Sequence, residues 1–266
     1  MAYRMSRIGG SFLAALVSSS AYAGAYTLPP GEAKLFVSGL MTDGDRYFDT
    51  TGRRQARGRY TKYDTPVFVE YGFRDGVTLF GSSSFQRISA EDGGRHEREG
   101  VGRSELGARI RLLNEGAWIA SVQGSVVIAG ASGKEGVAAI GETDNQVDVR
   151  GLVQRSFEAF GMPGFADVEA GYRWRGKAPA DEVRLDATVG LRVAPRWLAL
   201  VQSFNTIGTG RWSGRYPLRQ RIAKLQGALL FDLTERMQLF GAAFFTPYGR
   251  DAMDETGGQL GVGYRF

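Results

Sequence analysis

The most constraining feature of this chain is an alternation of apolar and polar side chains that recurs in segments of about ten residues along most of its length. In 182–193, Val183, Leu185, Ala187, Val189 and Leu191 alternate with Arg184, Asp186, Thr188, Gly190 and Arg192. In 165–176, Ala166, Val168, Ala170, Tyr172 and Trp174 oppose Asp167, Glu169, Gly171, Arg173 and Arg175. In 117–130, Trp118, Ala120, Val122, Val126 and Ile128 oppose Ser121, Gln123 and Ser125. Successive side chains of a strand point to opposite faces, so each segment makes a strand with one apolar and one polar side. Ten residues is also the length that a tilted strand needs to cross a bilayer.

The pattern predicts strands at 33–42, 59–73, 77–88, 100–113, 117–130, 145–157, 165–176, 182–193, 197–207, 218–232, 237–247 and 257–266. Their connections alternate in length. Tight turns are expected at Arg74-Asp75-Gly76, Asn114-Glu115-Gly116, Ala194-Pro195-Arg196 and 232–236, with a slightly looser one at 158–164. Longer polar loops are expected at 43–58, 89–99, 131–144, 208–217 and 248–256, and a shorter one at 177–181. Glycine supplies the positive φ of such turns. Short turns at one end and long loops at the other are the asymmetry of a membrane barrel. A strand with one apolar face could also cover a soluble core. Two features favour the membrane. The polar faces carry charges of both signs, which suits a lumen, and Phe73, Trp118, Phe157, Phe165, Trp197 and Phe231 sit beside the short turns, as an interfacial girdle would. The expected fold is all-β: a transmembrane antiparallel up-and-down β-barrel of about twelve strands. Strand 197–207 is ambiguous, because Trp197-Leu198-Ala199-Leu200-Val201 is apolar on both faces.

Residues 1–23 have the order of a secretory leader: Arg4 and Arg7, an apolar stretch containing Phe12-Leu13-Ala14-Ala15-Leu16-Val17, then Ala21-Tyr22-Ala23 as an A-x-A cleavage site. The expected organisation is a signal peptide at 1–23, a periplasmic segment at 24–32 and the barrel at 33–266. Losing Arg4 and Arg7 lowers the formal net charge from +5 to +3. So weak and dispersed a charge gives no reason to expect a nucleic-acid partner. The 38 glycines are about twice the usual share of about 7%. Many fall within predicted strands, where they relieve crowding in a curved wall.

The chain ends Gln259-Leu260-Gly261-Val262-Gly263-Tyr264-Arg265-Phe266, with Leu260, Val262, Tyr264 and Phe266 on one face. This resembles the terminal strand of Gram-negative outer-membrane barrels, whose polar, glycine, aromatic and terminal Phe positions match Gln259, Gly261, Tyr264 and Phe266. The resemblance implies location in the cell outer membrane, porin-like architecture and engagement of this strand by the barrel-assembly machinery. A further stretch, Gly100-Val101-Gly102-Arg103-Ser104-Glu105-Leu106-Gly107-Ala108-Arg109-Ile110-Arg111-Leu112 preceded by Glu70-Tyr71-Gly72-Phe73, is similar to the barrel family associated with meta-pathway phenol degradation. About 50 residues carry that likeness, and Arg103 stands where an acidic residue is common. It implies a transport-related barrel.

Function in such a barrel lives on the inner face. The polar faces place nine bases inward (Arg103, Arg109, Arg111, Arg150, Arg173, Arg175, Arg184, Arg192 and Lys224) against six acids (Glu70, Glu105, Asp148, Asp167, Glu169 and Asp186). Asp167 and Glu169 are expected to be bridged by Arg173, Arg175 and Arg184. Arginine stays charged and pairs in planar forks, so the expectation is an arginine-rich channel for small, anionic or aromatic solutes. Phe240 and Phe244 are expected to face inward. Twelve strands exceed the eight whose side chains fill an interior, so water-filled space or an inserted loop should occupy the rest. The alternatives are a closed structural or adhesion barrel acting through its loops, and a barrel hydrolase. The last is weak. Cysteine is absent, and the one histidine, His96, lies in a charged loop without a serine motif beside it. Catalytic residues, metal and cofactor are therefore none. Asp43-Gly44-Asp45 lacks the remaining positions of a calcium loop. The basic run Arg53-Arg54-Gln55-Ala56-Arg57-Gly58-Arg59 suggests lipopolysaccharide phosphates, besides membrane lipid, as a partner.

Overall fold

The computed structural model describes residues 16–18, 21–91, 94–130, 145–176, 180–210 and 220–266. Twelve strands form its wall: β1 (Ala33–Phe48), β2 (Arg54–Arg74), β3 (Val77–Glu91), β4 in two pieces (Arg95–Val101 and Ser104–Glu115), β5 (Trp118–Ile128), β6 (Gln146–Ala159), β7 (Met162–Arg175), β8 (Glu182–Ala194), β9 (Trp197–Gly208), β10 (Arg221–Asp232), β11 (Met237–Arg250) and β12 (Ala252–Arg265). Each pairs antiparallel with the next, and β12 pairs with β1, so the sheet closes with no free edge. Both pieces of β4 pair with β3, the first with its loop-end half and the second with its turn-end half. At the break, the Gly102 amide donates to the Ser84 carbonyl at 2.8 Å. A separate short ladder joins Leu16–Ser18 to Ala21–Ala23.

The tight turns form where glycine permits them. Gly76 (φ 72°) turns β2 into β3, Gly116 (φ 57°) turns β4 into β5, and Phe160 (φ 55°) with Gly161 (φ 72°) links β6 to β7. At the other end the wall runs further than the sequence pattern indicates. The loops expected at 43–58, 89–99 and 248–256 are mostly strand among the described residues: β1 and β2 meet at 49–53, β3 runs to Glu91 and β4 starts at Arg95, and β11 and β12 meet at Asp251. The ladder continues there while its outer face turns polar, with Asp43, Arg59, Arg87 and Glu91 replacing apolar residues. Loss of apolar alternation marks where lipid ends, and the strands carry on beyond it. β2, at 21 residues and about 3.3 Å per residue, is far longer than a ~30 Å hydrocarbon core requires even when tilted. The loops expected at 131–144 and over most of 208–217 lie outside the described residues.

Facing follows the alternation. Val126, Val147, Val149, Val168, Leu185, Val189, Val201, Leu229 and Leu260 are exposed on the outside, and their inward neighbours are buried. Near the turns, Trp197 stacks on Phe231 (4.8 Å between centroids) and Tyr264 on Phe266 (4.9 Å). Phe73 and Trp118 are likewise exposed. Phe165 is a correction to the girdle: it is buried inside, its ring against Gly190. It shares parity with Asp167 and Glu169, and strand parity overrides nearness to a turn.

Candidate functional site

The lumen is lined in tiers, because every strand sends alternate side chains inward and position along the strand sets their height. The turn-end tier is apolar. Phe36, Phe68, Phe80, Phe165, Leu198, Leu200, Ala228, Leu230 and Phe240 form one buried cluster. Rings stack round the wall from Phe36 to Phe68 (6.3 Å) and from Phe68 to Phe80 (6.2 Å). This tier explains β9: Leu198 and Leu200 face the apolar part of the lumen while Trp197 and Val201 face outward, so both faces read as greasy. A cavity of about 810 Å³ opens beside it, touching Phe36, Arg192, Asp232, Met237 and Tyr264. Phe240 faces inward as expected, and Phe244 lies under the Lys224 ammonium at 5.2 Å.

Above it sits a buried ion network. Arg150 reaches Asp148 at 2.6 Å, Asp186 at 3.3 Å and Glu169 at 3.4 Å. Arg173 binds Asp148 at 2.9 Å, Arg175 binds Glu182 at 2.8 Å, and Arg184 lies 3.8 Å from Asp186. Register produces this grouping, since Glu169 stands opposite Leu152 on one side and Asp186 on the other. Neutral side chains continue the ring on β8 to β10: Gln226 donates to Gln202 at 2.9 Å and Gln202 to Thr188 at 3.2 Å. Nearer the loops, Lys224 meets Glu255 at 2.6 Å and Gln86 donates to Asp64 at 2.9 Å.

The chain's own N-terminal segment also enters the interior. Residues 24–32, expected to stand in the periplasm, enter the lumen at the turn end instead. The Gly31 amide donates to the Gly72 carbonyl (2.8 Å) and the Gly72 amide to the Glu32 carbonyl (2.9 Å). Deeper in, the Leu28 amide donates to Thr78 Oγ1 (2.7 Å), Arg109 Nη1 to the Tyr26 carbonyl (3.0 Å), and the Ala25 amide to Asp167 Oδ2 (3.2 Å). Ser121 Oγ caps the Ala25 carbonyl, and the Gly24 amide donates to Glu169. Ala25, Thr27 and Leu28 are buried. A segment that buries its backbone must satisfy its amides and carbonyls, and the wall supplies polar side chains for that purpose.

The structure thus distributes the expected lumen residues over several roles. Asp148, Arg150, Glu169, Arg173, Arg184 and Asp186 meet in one network, with Arg175 at its edge. Arg109 joins Glu70 (3.1 Å) and Gln123 (3.0 Å) while holding the inserted segment. Arg111 lies at the turn end on Asp75 (2.8 Å), as does Arg192 on Asp232 (2.8 Å). Arg103 sits half-buried at the break in β4, and Ser125 Oγ donates to Glu105 at 2.5 Å. The pairing expected for Asp167 and Glu169 is corrected. Arg173, Arg175 and Arg184 go to other acids, and no described cation lies within ion-pair distance of Asp167. Sequence reasoning missed Lys34, Asp64 and Glu182, all buried and inward. Glu182 precedes Arg184 by two residues, so parity alone could have found it.

At the loop end the basic run is partly neutralised: Arg54 binds Asp254 (2.9 Å) and Arg59 binds Asp43 (2.8 Å). His96 stands exposed on β4 opposite Ala90, in strand rather than loop. Asp49 closes the β1–β2 turn, accepting from the Thr51 amide (2.8 Å), Thr51 hydroxyl (2.7 Å), Arg53 amide (3.0 Å) and Gln55 (3.0 Å). These donors hold its carboxyl well below the usual carboxylate range. In the terminal strand, Gln259 donates to Ser38 (2.7 Å), and Gly261 leaves room for the Phe240 ring.

No protein-family model and no curated protein matches the chain. Solved structures do. An outer membrane channel from Pseudomonas putida F1 superposes with a TM-score of 0.77 at 16% identity, covering 94% of this chain and 100% of that one. The KdgM porin gives 0.56 at 10%, covering 88% and 99%. The NanC porin gives 0.51 at 10%, covering 86% and 98%. The fold is that of outer-membrane channels and porins.

Proposed function

We propose that the chain is an outer-membrane channel for small solutes with an aromatic or other apolar part, closed at rest by its own residues 24–32. The observation that carries this reading is the tiered lumen: a phenylalanine and leucine ring at the turn end, an ion network above it, and residues 24–32 held inside by wall side chains. An apolar solute gains roughly 25 cal/mol per Å² of surface that it buries against such side chains, and the cavity of about 810 Å³ at the turn-end mouth, otherwise lined largely by polar residues, reaches this tier at Phe36. The channel fold of the solved relatives supports the same reading. In this proposal residues 1–23 are removed on export, the Gln259 to Phe266 strand is what the assembly machinery engages, and lipid with lipopolysaccharide surrounds the wall.

Anion selectivity is expected to be weak. An arginine already shared by several carboxylates offers a passing anion little net field. The second reading, a closed structural or adhesion barrel, is favoured by the inserted segment itself. Single-channel recording in planar bilayers separates the two. Rare openings from the intact chain and steady current from a chain lacking residues 24–32 support the channel. Silence from both, with the barrel folded, establishes the closed one.

A further inference from the structure

We infer that Asp167 and Glu169 form a receptor for the α-ammonium group of Gly24, which exists only after cleavage of the Ala23–Gly24 bond. The inference rests on the reading of residues 1–23 as a cleaved leader, not on conduction. Both carboxylates are buried, at 1% and 3% exposure, and face the start of the inserted segment. Asp167 Oδ1 and Glu169 Oε1 have no hydrogen-bond partner. Asp167 receives only the Ala25 amide, and Glu169 only Arg150 and the Gly24 amide. Arg150 is itself divided among three acids, and Arg109, whose charge also acts on both carboxylates, forms its ion pair with Glu70, so neither cation is dedicated to them. Two anions at adjacent inward positions of one strand require a compensating charge once water is displaced.

Processing supplies it. Peptidase hydrolysis consumes one water; Ala23 leaves with the new carboxylate, and the Gly24 amine takes up a proton. One amide N–H at this place becomes an ammonium with three, enough for the two vacant oxygens, and a unit positive charge arrives with it. Export precedes closure of the barrel, so the ammonium is present when the segment inserts. A chain that keeps residues before Gly24 carries its charge elsewhere and leaves an uncharged amide at the receptor.

The test uses hydrogen–deuterium exchange over residues 24–32 in the folded, detergent-solubilised barrel. Mass spectrometry of protein recovered from the outer membrane first fixes the amino terminus, expected at Gly24. Two perturbations follow: a refolded chain retaining Tyr22-Ala23 ahead of Gly24, and the processed chain carrying Asp167→Asn with Glu169→Gln. Each is expected to speed exchange of the Tyr26 to Leu28 amides at least tenfold, and the combination to speed it no further than either alone, the signature of a shared interaction. A different amino terminus, an extension without effect, or multiplying effects would overturn the inference. If the double variant does not fold, the extension decides, since it alters no barrel residue. A barrel that conducts nothing can still pass.

Discussion

Gly72 is the point at which the wall of β2 and the inserted segment touch backbone to backbone, and Gly72→Ala tests whether that segment closes the lumen. A Cβ built there lies 1.9 Å from the Pro29 carbonyl oxygen and 3.0 Å from that of Leu28. Ordinary contact begins at 3.4 Å, so the segment must retreat by about 1.5 Å. No rotamer relieves a clash with backbone. β2 cannot yield easily either, being paired to β1 at Tyr71 and to β3 at Gly72 itself. A retreat of that size breaks both hydrogen bonds made by Gly72, at 2.8 and 2.9 Å. At about 1 kcal/mol each, the seated state loses about 2 kcal/mol, or roughly thirtyfold in its ratio to the withdrawn state. Single-channel recording should show the open fraction rising by about that factor toward the behaviour of a chain lacking residues 24–32. Gly151→Ala is the control: it lies on the outer face with nothing within 4 Å of a new Cβ, and it should record as the parent. An open fraction for Gly72→Ala within threefold of the parent, while the shortened chain conducts freely, would refute the argument.

Three further outcomes follow from the site. Arg150→Gln leaves Asp148, Glu169 and Asp186 without their shared cation and should cost about 3–5 kcal/mol in urea unfolding of the refolded barrel; a loss under ~1 kcal/mol would mean that water already screens the network. Arg173→Ala with Arg175→Ala and Arg184→Ala uncovers Asp148, Glu182 and Asp186, so reversal potentials in a salt gradient should move toward cation preference. An unchanged potential would take these groups off the solute path. Asp49→Ala should loosen the β1–β2 turn at neutral pH, seen as faster amide exchange at Thr51 and Arg53. Because the folded-state carboxyl is held below its usual value, its contribution is present above the unfolded pKa and is lost as pH falls through the folded one. Parent and variant should therefore converge in strong acid, and a difference that persists there would contradict the hydrogen-bond account.

The wall and its facing were legible in the sequence because side-chain parity is a local property of a strand. Val183, Arg184 and Leu185 declare their sides without knowledge of any partner, and so do Asp167, Glu169 and Arg173. Phe165 shows which signal takes precedence: its nearness to a turn suggests the girdle, and the parity it shares with Asp167 and Glu169 puts it in the lumen. Height was less legible: only the assembled barrel shows that Phe36, Phe80, Leu200 and Phe240 share one level, and that the double-faced grease of β9 belongs to it. Strand ends failed for a different reason, since an outer face that becomes polar above the lipid looks like a loop while its backbone ladder runs on.

What the sequence determined by itself is thus the closed twelve-stranded wall, its apolar outside and its charged inside, all consequences of a period of two. What only the tertiary structure decided is who meets whom across the lumen. Asp148 rather than Asp167 takes Arg173, because strand register, not sequence spacing, sets cross-strand neighbours. Ala25 meets Asp167 across 142 residues, and no local pattern encodes such a contact. It exists because a twelve-stranded ring leaves space that its own side chains do not fill, and the nearest free length of chain is the one that precedes the first strand.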